Sequence, residues 1–90
     1  MLSVYKYQVP LADTFSLALP QGAIPFCMKE QRGLLMLWCL VDPDMPGWCR
    51  AFRLSGTGHT IEQSADQLKY IDSVSLNNGE LVFHLFEIVA

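Results

Sequence analysis

The stretch that decides the fold is Leu34-Leu35-Met36-Leu37-Trp38-Cys39-Leu40-Val41, a run of apolar residues without a charge. A strand with one face in solvent alternates apolar and polar residues, so a run that is apolar on both faces predicts a strand covered on both sides. The preceding segment, Ile24 to Glu30, is also strand-like, and Gln31-Arg32-Gly33 between the two is typical of a hairpin loop. We expect this hairpin at the centre of the fold.

The rest of the chain shows the same period of two. Residues 5–8 and 15–19 alternate, residues 48–54 form a further strand, and Asn77-Asn78-Gly79-Glu80 predicts a tight hairpin turn between residues 70–76 and 81–88. Only Ile61 to Lys69 tolerates a helix, of one or two turns at most, with Thr60 as its cap.

These segments predict one domain over residues 1–90. We expect an all-β fold, a small antiparallel sandwich or partly open barrel of about seven short strands that meanders in its final third, with at most one short helix. The alternative is an α+β fold with one short helix on an open sheet.

The overall charge and the apolar runs exclude several classes of protein. A net charge of -3 disfavours nucleic acid as a partner. The longest apolar run is far shorter than the roughly 20 residues of a membrane-spanning helix. The amino-terminal residues lack the pattern of a secretory signal, so we expect a cytoplasmic location and no membrane.

The low charge also predicts an interface. Hydrophobic residues make up 51% of the chain and charged residues only 17%, and a domain this small has much surface for each residue. We therefore expect a protein partner or a homo-oligomer. The segment Leu81 to Val89 is apolar on both faces, which predicts contact with another subunit or an inter-chain strand pair.

The sequence contains only weak matches to catalytic, phosphate-binding or metal-binding motifs. Ser55-Gly56-Thr57-Gly58-His59 resembles a phosphate loop but lacks the Gly-Lys-Ser/Thr ending. The odd and widely spaced Cys27, Cys39 and Cys49 indicate reduced thiols, and no pair of Cys or His residues has zinc-ligand spacing. We expect no enzyme, no cofactor and no metal. The alternative is a weak metal- or thiol-dependent enzyme, for which Cys49, His59 and Asp66 are conceivable in that order.

The candidate partner-binding residues are Trp48, Arg50, Arg53 and His59, beside the loop from Asp42 to Gly47. Trp and Arg are enriched among the residues that dominate binding energy at interfaces. The alternative places Trp48 and Phe52 in the core and pairs the arginines with Asp42, Asp44 or Glu62.

Four blocks of the chain resemble a known family: Leu19 to Ala23, Leu37 to Pro43, Phe52 through His59, and Gly79 to Glu87. The chain is similar to DUF7352-type domains, a small family common in bacteriophages and prophages and without an assigned reaction. The resemblance implies a phage or prophage origin and a bacterial host cytoplasm as the setting. It transfers no catalytic residue, and the cysteines lie outside its pattern.

The hypothesis that follows is a non-enzymatic phage or prophage accessory protein, which binds a host or phage protein and inhibits or redirects a host or defence machine. The alternative is a structural or assembly component of a phage particle that oligomerises through strand edges, with the terminal strand as the joining element.

Overall fold

The computed structural model describes residues 1–89 and is all-β, which confirms the predicted fold class. Within this range the two remaining elements are single turns of 3-10 helix, at Ala65–Gln67 and Asn77–Gly79. The strands are β1 (Ser3–Val9), β2 (Thr14–Pro20), β3 (Ile24–Gln31), β4 (Leu34–Val41), β5 (Gly47–Gly56), β6 (Leu68–Leu76) and β7 (Leu81–Ile88).

The strands form two antiparallel sheets. Sheet A has the order β1-β4-β3, and sheet B has the order β2-β5-β7-β6. Strand β4 is therefore central in sheet A, as its apolar run predicts. The predicted meander in the final third is wrong, because β5 pairs with β7 rather than with β6. The segment between β5 and β6 crosses the outside of sheet B instead.

The core lies between the two sheets. Its largest fully buried side chain is Phe52, whose ring stacks on Phe15 of the neighbouring strand at 5.4 Å between centroids. The shortest dimension of the molecule is 16 Å, which fits two sheets about 10 Å apart. The buried apolar residues are Val9, Leu19, Ala23, Met28, Leu35, Leu37, Cys39, Val41, Phe52, Leu54 and Leu85.

Two polar contacts join the sheets. The Arg50 guanidinium lies between them, where its Nε and Nη2 donate to both carboxylate oxygens of Glu87 at 2.7 and 2.6 Å and its Nη1 donates to the Ala23 carbonyl at 2.5 Å. At the side where β3 and β6 approach, the Met28 amide donates to Asp72 Oδ2 at 2.7 Å. Both of these strands carry an irregularity there, between Pro25 and Cys27 in β3 and between Tyr70 and Asp72 in β6.

The turns follow the sequence closely. Asn77, Asn78 and Gly79 all adopt positive φ, at 51°, 56° and 90°, as an Asn-Gly hairpin turn requires. The helix-tolerant segment forms only the turn at Ala65–Gln67, and its cap is Ser64 rather than the predicted Thr60. The Ser64 amide donates to Gln67 Oε1 at 3.0 Å, which satisfies one amide at the start of the turn.

The terminal strand does not offer an edge. Strand β7 pairs with β5 on one side and with β6 on the other, so both its hydrogen-bonding edges are occupied within the chain. The prediction of an inter-chain strand pair at Leu81 to Val89 is therefore wrong. Its apolar residues on both faces reflect a central position in the sheet.

Candidate interaction surface

Strand β4 has one buried face and one that no layer formed by residues 1–89 covers. Its burial alternates strictly, with Leu35, Leu37, Cys39 and Val41 in the core and Met36, Trp38 and Leu40 half-buried on the other side. A sheet face open to water normally carries polar residues, so three large apolar side chains here depart from the rule. The run that decides the fold is thus apolar on a face that the domain leaves open.

The neighbouring strands extend this surface. Residues directly opposite one another in a sheet share a face. By that register the outer face of sheet A consists of Val4, Lys6, Gln8, Ile24, Cys27, Lys29, Gln31, Leu34, Met36, Trp38 and Leu40. The row of Val4, Leu40 and Ile24 is wholly apolar. Val4 is 50% exposed and Ile24 55% exposed, so this row is accessible.

Positive and negative side chains lie towards opposite ends of this surface. Lys6 lies opposite Trp38, Lys29 lies opposite Met36, and Arg32 is in the hairpin loop beyond them. The other end leads into the loop that carries Asp42 and Asp44. The amino group of residue 1 lies 3.8 and 4.0 Å from these two carboxylates and offsets part of their charge. The outer face of sheet A therefore has a basic end and a weakly acidic end, with the apolar row near the acidic one.

The structure places the two arginines predicted for partner binding away from free solvent. Arg50 is held between the sheets by Glu87, and this hydrogen bonding raises the pKa of its guanidinium. Arg53 points to the outside of sheet B, where the crossing segment covers it so that its side chain is 4% exposed. It donates to Glu62 Oε2 at 3.0 Å and to the Thr60 carbonyl at 2.9 Å. The pairing of Arg53 with Glu62 agrees with the alternative interpretation of these residues.

Trp48 and His59, the other two predicted residues, are exposed but far apart. Trp48 is 57% exposed at the start of β5, and His59 lies past its end, against Gly56. At about 3.3 Å for each strand residue, they are separated by roughly 25 Å or more. The four predicted residues therefore do not form one surface. Trp48 lies at the same end of the molecule as the Asp42 to Gly47 loop.

A row of hydrogen-bonded side chains crosses the outside of sheet B. His84 contacts Thr57 Oγ1 through Nε2 at 2.7 Å and Ser73 Oγ through Nδ1 at 2.8 Å, and Ser73 Oγ also contacts the Tyr70 hydroxyl at 2.8 Å. Each imidazole nitrogen thus has a hydroxyl partner. A catalytic triad orients its histidine with a carboxylate or amide, and this row holds hydroxyls in that place. It satisfies the polar groups of a sheet face.

The cysteines occupy three different environments. Cys39 is fully buried, and burial raises the pKa of its thiol to about 11, so it remains a neutral thiol at pH 7. Cys27 is half-buried on the outer face of sheet A, and Cys49 is exposed near the start of β5. The hypothetical group of Cys49, His59 and Asp66 is not assembled, because Cys49 and His59 lie towards opposite ends of that strand.

Residues 1–89 hold neither a cluster of metal ligands nor a helix that could cross a membrane. Among these residues, no three His, Cys, Asp or Glu side chains gather as a metal ion would need. None of the helices described there has the length and apolar character to cross a membrane.

The fold and this surface define a small two-sheet β-sandwich with one uncovered apolar sheet face. The family model named DUF7352, a domain of unknown function, matches residues 1–90, and the chain belongs to that family. No curated protein and no solved structure matches it.

Sequence reasoning missed the outer face of sheet A as a site, although the signal was present. The run from Leu34 to Val41 predicts cover on both sides of β4, and the fold supplies cover on one side only. A partner is one way to cover the other side.

Proposed function

We propose that this protein acts by binding another protein through the outer face of sheet A, without catalysing a reaction. The observation that carries the proposal is the row of half-buried apolar side chains on the outer side of the central strand, Met36, Trp38 and Leu40, next to exposed Val4 and Ile24. Contiguous apolar surface on a small soluble domain marks an interaction site. Tryptophan at the middle of such a surface is the residue type that most often anchors an interface.

The proposed setting is a bacteriophage or prophage, with the protein acting in the bacterial host cytoplasm on a host or defence machine. Membership of the DUF7352 family supports this setting through the resemblance described above. The net charge of -3 favours a protein target over a nucleic acid. The exposed Trp48, beside the Asp42 to Gly47 loop, is proposed as a second point of contact with the partner.

Affinity capture from phage-infected host cells tests the proposal with three variants. Leu40→Lys places a charge between Val4 and Ile24 on the outer face of sheet A. Val82→Lys is the matched control, since Val82 is also half-buried but lies on β7 of sheet B. Trp48→Ala examines the second point of contact.

We expect wild-type protein and Val82→Lys to capture the same partner, Leu40→Lys to lose it, and Trp48→Ala to weaken it. Circular dichroism establishes that each variant is folded. If folded Leu40→Lys captures every partner of the wild type in equal amount, the outer face of sheet A is not the binding surface.

A second candidate function is a structural or assembly component of a phage particle. The open face of sheet A favours it, because such a face can stack against identical copies as well as against a different protein. Within residues 1–89, the outer edges of β1 and β2 pair with no other strand. Light scattering distinguishes the two functions, since an assembly component forms large closed oligomers and an accessory protein does not.

A further inference from the structure

We propose that a second copy of this chain occupies the outer face of sheet A, packed face to face about a two-fold axis that reverses the strand direction. The inference rests on the proposed function, because it uses the same surface: a second copy occupies the face when the other protein partner is not bound. Three features support it: the area of the face, the separation of its positive and negative charges, and a register that pairs apolar side chains at the centre and opposite charges at the margins.

The area of the face fits a weak dimer. Three strands about 4.8 Å apart and eight residues long cover roughly 350 Å² in projection. Two exposed apolar residues beside the face, Leu2 at 67% and Phe26 at 51%, add to this area at its margins. Two such faces together come to about 700 Å² in projection, below the roughly 1,200 Å² at which specific stable interfaces begin and within the range of weak, transient contacts. We therefore expect a dimer with a dissociation constant on the order of 10 to 100 µM.

The charges favour one orientation. The chain has six Lys and Arg residues, of which Arg50 and Arg53 are engaged within the domain. Two of the other four, Lys29 and Arg32, lie towards the hairpin end of sheet A, and Lys6, level with Trp38, reaches that end by donating to Gln31 Oε1 at 2.8 Å. Glu30 in the same hairpin offsets one of these three charges. An axis parallel to the strands would place these basic ends together, where like charges repel. An axis that reverses the strands places each basic end against the partner's acidic loop.

The register then follows from the spacing along β4. With the axis at the level of Cys39, Leu40 of one copy faces Trp38 of the other, and Val4 faces the aliphatic part of Lys6, whose Nζ donates away from this row to Gln31 Oε1 at 2.8 Å. The same operation carries Asp42 to the level of Met36, beside Lys29 of the second copy. Each dimer thus contains two equivalent contacts between Lys29 and the loop of Asp42 and Asp44, at the margins of an apolar centre.

Sedimentation velocity of the full chain tests the proposal between about 5 µM and 1 mM, with single and double charge reversals. We expect wild-type protein to be mainly dimeric at the upper concentration. Lys29→Glu and Asp44→Lys should each weaken dimerisation about tenfold, because two attractive contacts become repulsive. The double variant should return to within about threefold of the wild type, because the reversed pair attracts again. Asp44 is used rather than Asp42, because Asp42 Oδ1 accepts from the Asp44 amide at 3.1 Å and shapes the loop.

Each outcome is decisive. Wild-type protein that stays monomeric to 1 mM overturns the dimer. A dimer that the double variant fails to restore overturns the strand-reversed orientation. A dimer that persists in folded Leu40→Lys places the contact elsewhere on the molecule.

The half-buried thiol of Cys27 provides a second measurement, because it lies opposite Trp38 within the face. Its rate of reaction with a maleimide should fall as the protein concentration rises, while the rate at exposed Cys49 stays constant. In Leu40→Lys the Cys27 rate should not depend on concentration. A Cys27 rate that is independent of concentration in the wild type contradicts the dimer.

The proposed function and this inference fail separately. If wild-type protein is monomeric at 1 mM and Leu40→Lys still loses a captured host protein, the binding surface stands and its occupant is not a second copy. If the dimer forms and capture from infected cells is unaffected by Leu40→Lys, the second copy stands and the accessory function lies elsewhere.

Discussion

Replacing Glu87 with glutamine should destabilise the fold more than any other change of one charge to its neutral isostere. Glu87 receives two hydrogen bonds from Arg50, and Arg50 also donates to the Ala23 carbonyl, which leads into sheet A. Glutamine keeps the shape of the side chain but removes its charge and turns one acceptor into a donor that faces the guanidinium. Arg50 is then left as a cation between the sheets without its counter-ion.

The magnitude follows from burial. Breaking a fully buried ion pair by removal of one partner costs about 3 to 5 kcal/mol. The side chains of Arg50 and Glu87 are 17% and 11% exposed, so some solvent reaches the pair. We therefore expect a loss of about 3 kcal/mol in the free energy of unfolding, at the lower end of that range. For a domain of this length the melting temperature should fall by roughly 15 °C.

Urea unfolding followed by tryptophan fluorescence and circular dichroism measures the effect. The matched control is Glu80→Gln, at an exposed site, for which we expect a change below about 0.5 kcal/mol. The double variant Arg50→Met with Glu87→Leu should recover most of the loss, since no unpaired charge remains. If Glu87→Gln is as stable as the control, the ion pair does not hold the two sheets together.

Three further predictions concern local structure. Asp72→Ala should lower the free energy of unfolding in urea by about 1 to 2 kcal/mol, because the buried Met28 amide loses its acceptor. Asp72→Asn should lower it less, because its amide oxygen still accepts. Equal losses for the two variants would contradict the hydrogen bond between Met28 and Asp72. Buried Cys39 should resist a thiol reagent at pH 8, while exposed Cys49 reacts. The free energy of unfolding should fall between pH 9 and 11, because the folded state keeps a proton on Cys39 that the unfolded thiol releases. Cys39→Ala should abolish that part of the pH dependence, and an unchanged slope would refute it. Asn78→Ala should lower the melting temperature through about 1 kcal/mol of backbone strain at φ 56°, and Asn78→Gly should not.

The strands were predictable because their signals are local. Alternation of apolar residues and the Asn77 to Gly79 turn depend only on neighbours in the chain, and both agree with the structure. The pairing of the strands is not local. Nothing near β5 indicates that the next segment would cross over β7, since that path depends on Arg53, whose buried guanidinium contacts Thr60 and Glu62.

The candidate site was only partly predictable for the same reason. The sequence singled out Arg50 as an interface residue, but its partner Glu87 is 37 positions away, and only the pairing of β5 with β7 brings them together. The apolar run of β4 predicted cover on both of its faces, and the structure covers only one of them. Which face would lack it depends on the stacking of the two sheets, which no local pattern encodes.

The most direct test of the account is an amide NMR spectrum recorded at about 20 µM and again at about 1 mM. We expect concentration-dependent shifts confined to sheet A, strongest around Met36, Trp38 and Leu40, with the Trp38 indole proton among them. Amides on the outside of sheet B, such as that of Val82, should not move. Spectra that coincide at the two concentrations, or shifts centred on sheet B, would contradict the assignment of the uncovered β4 face as a contact surface for a second copy.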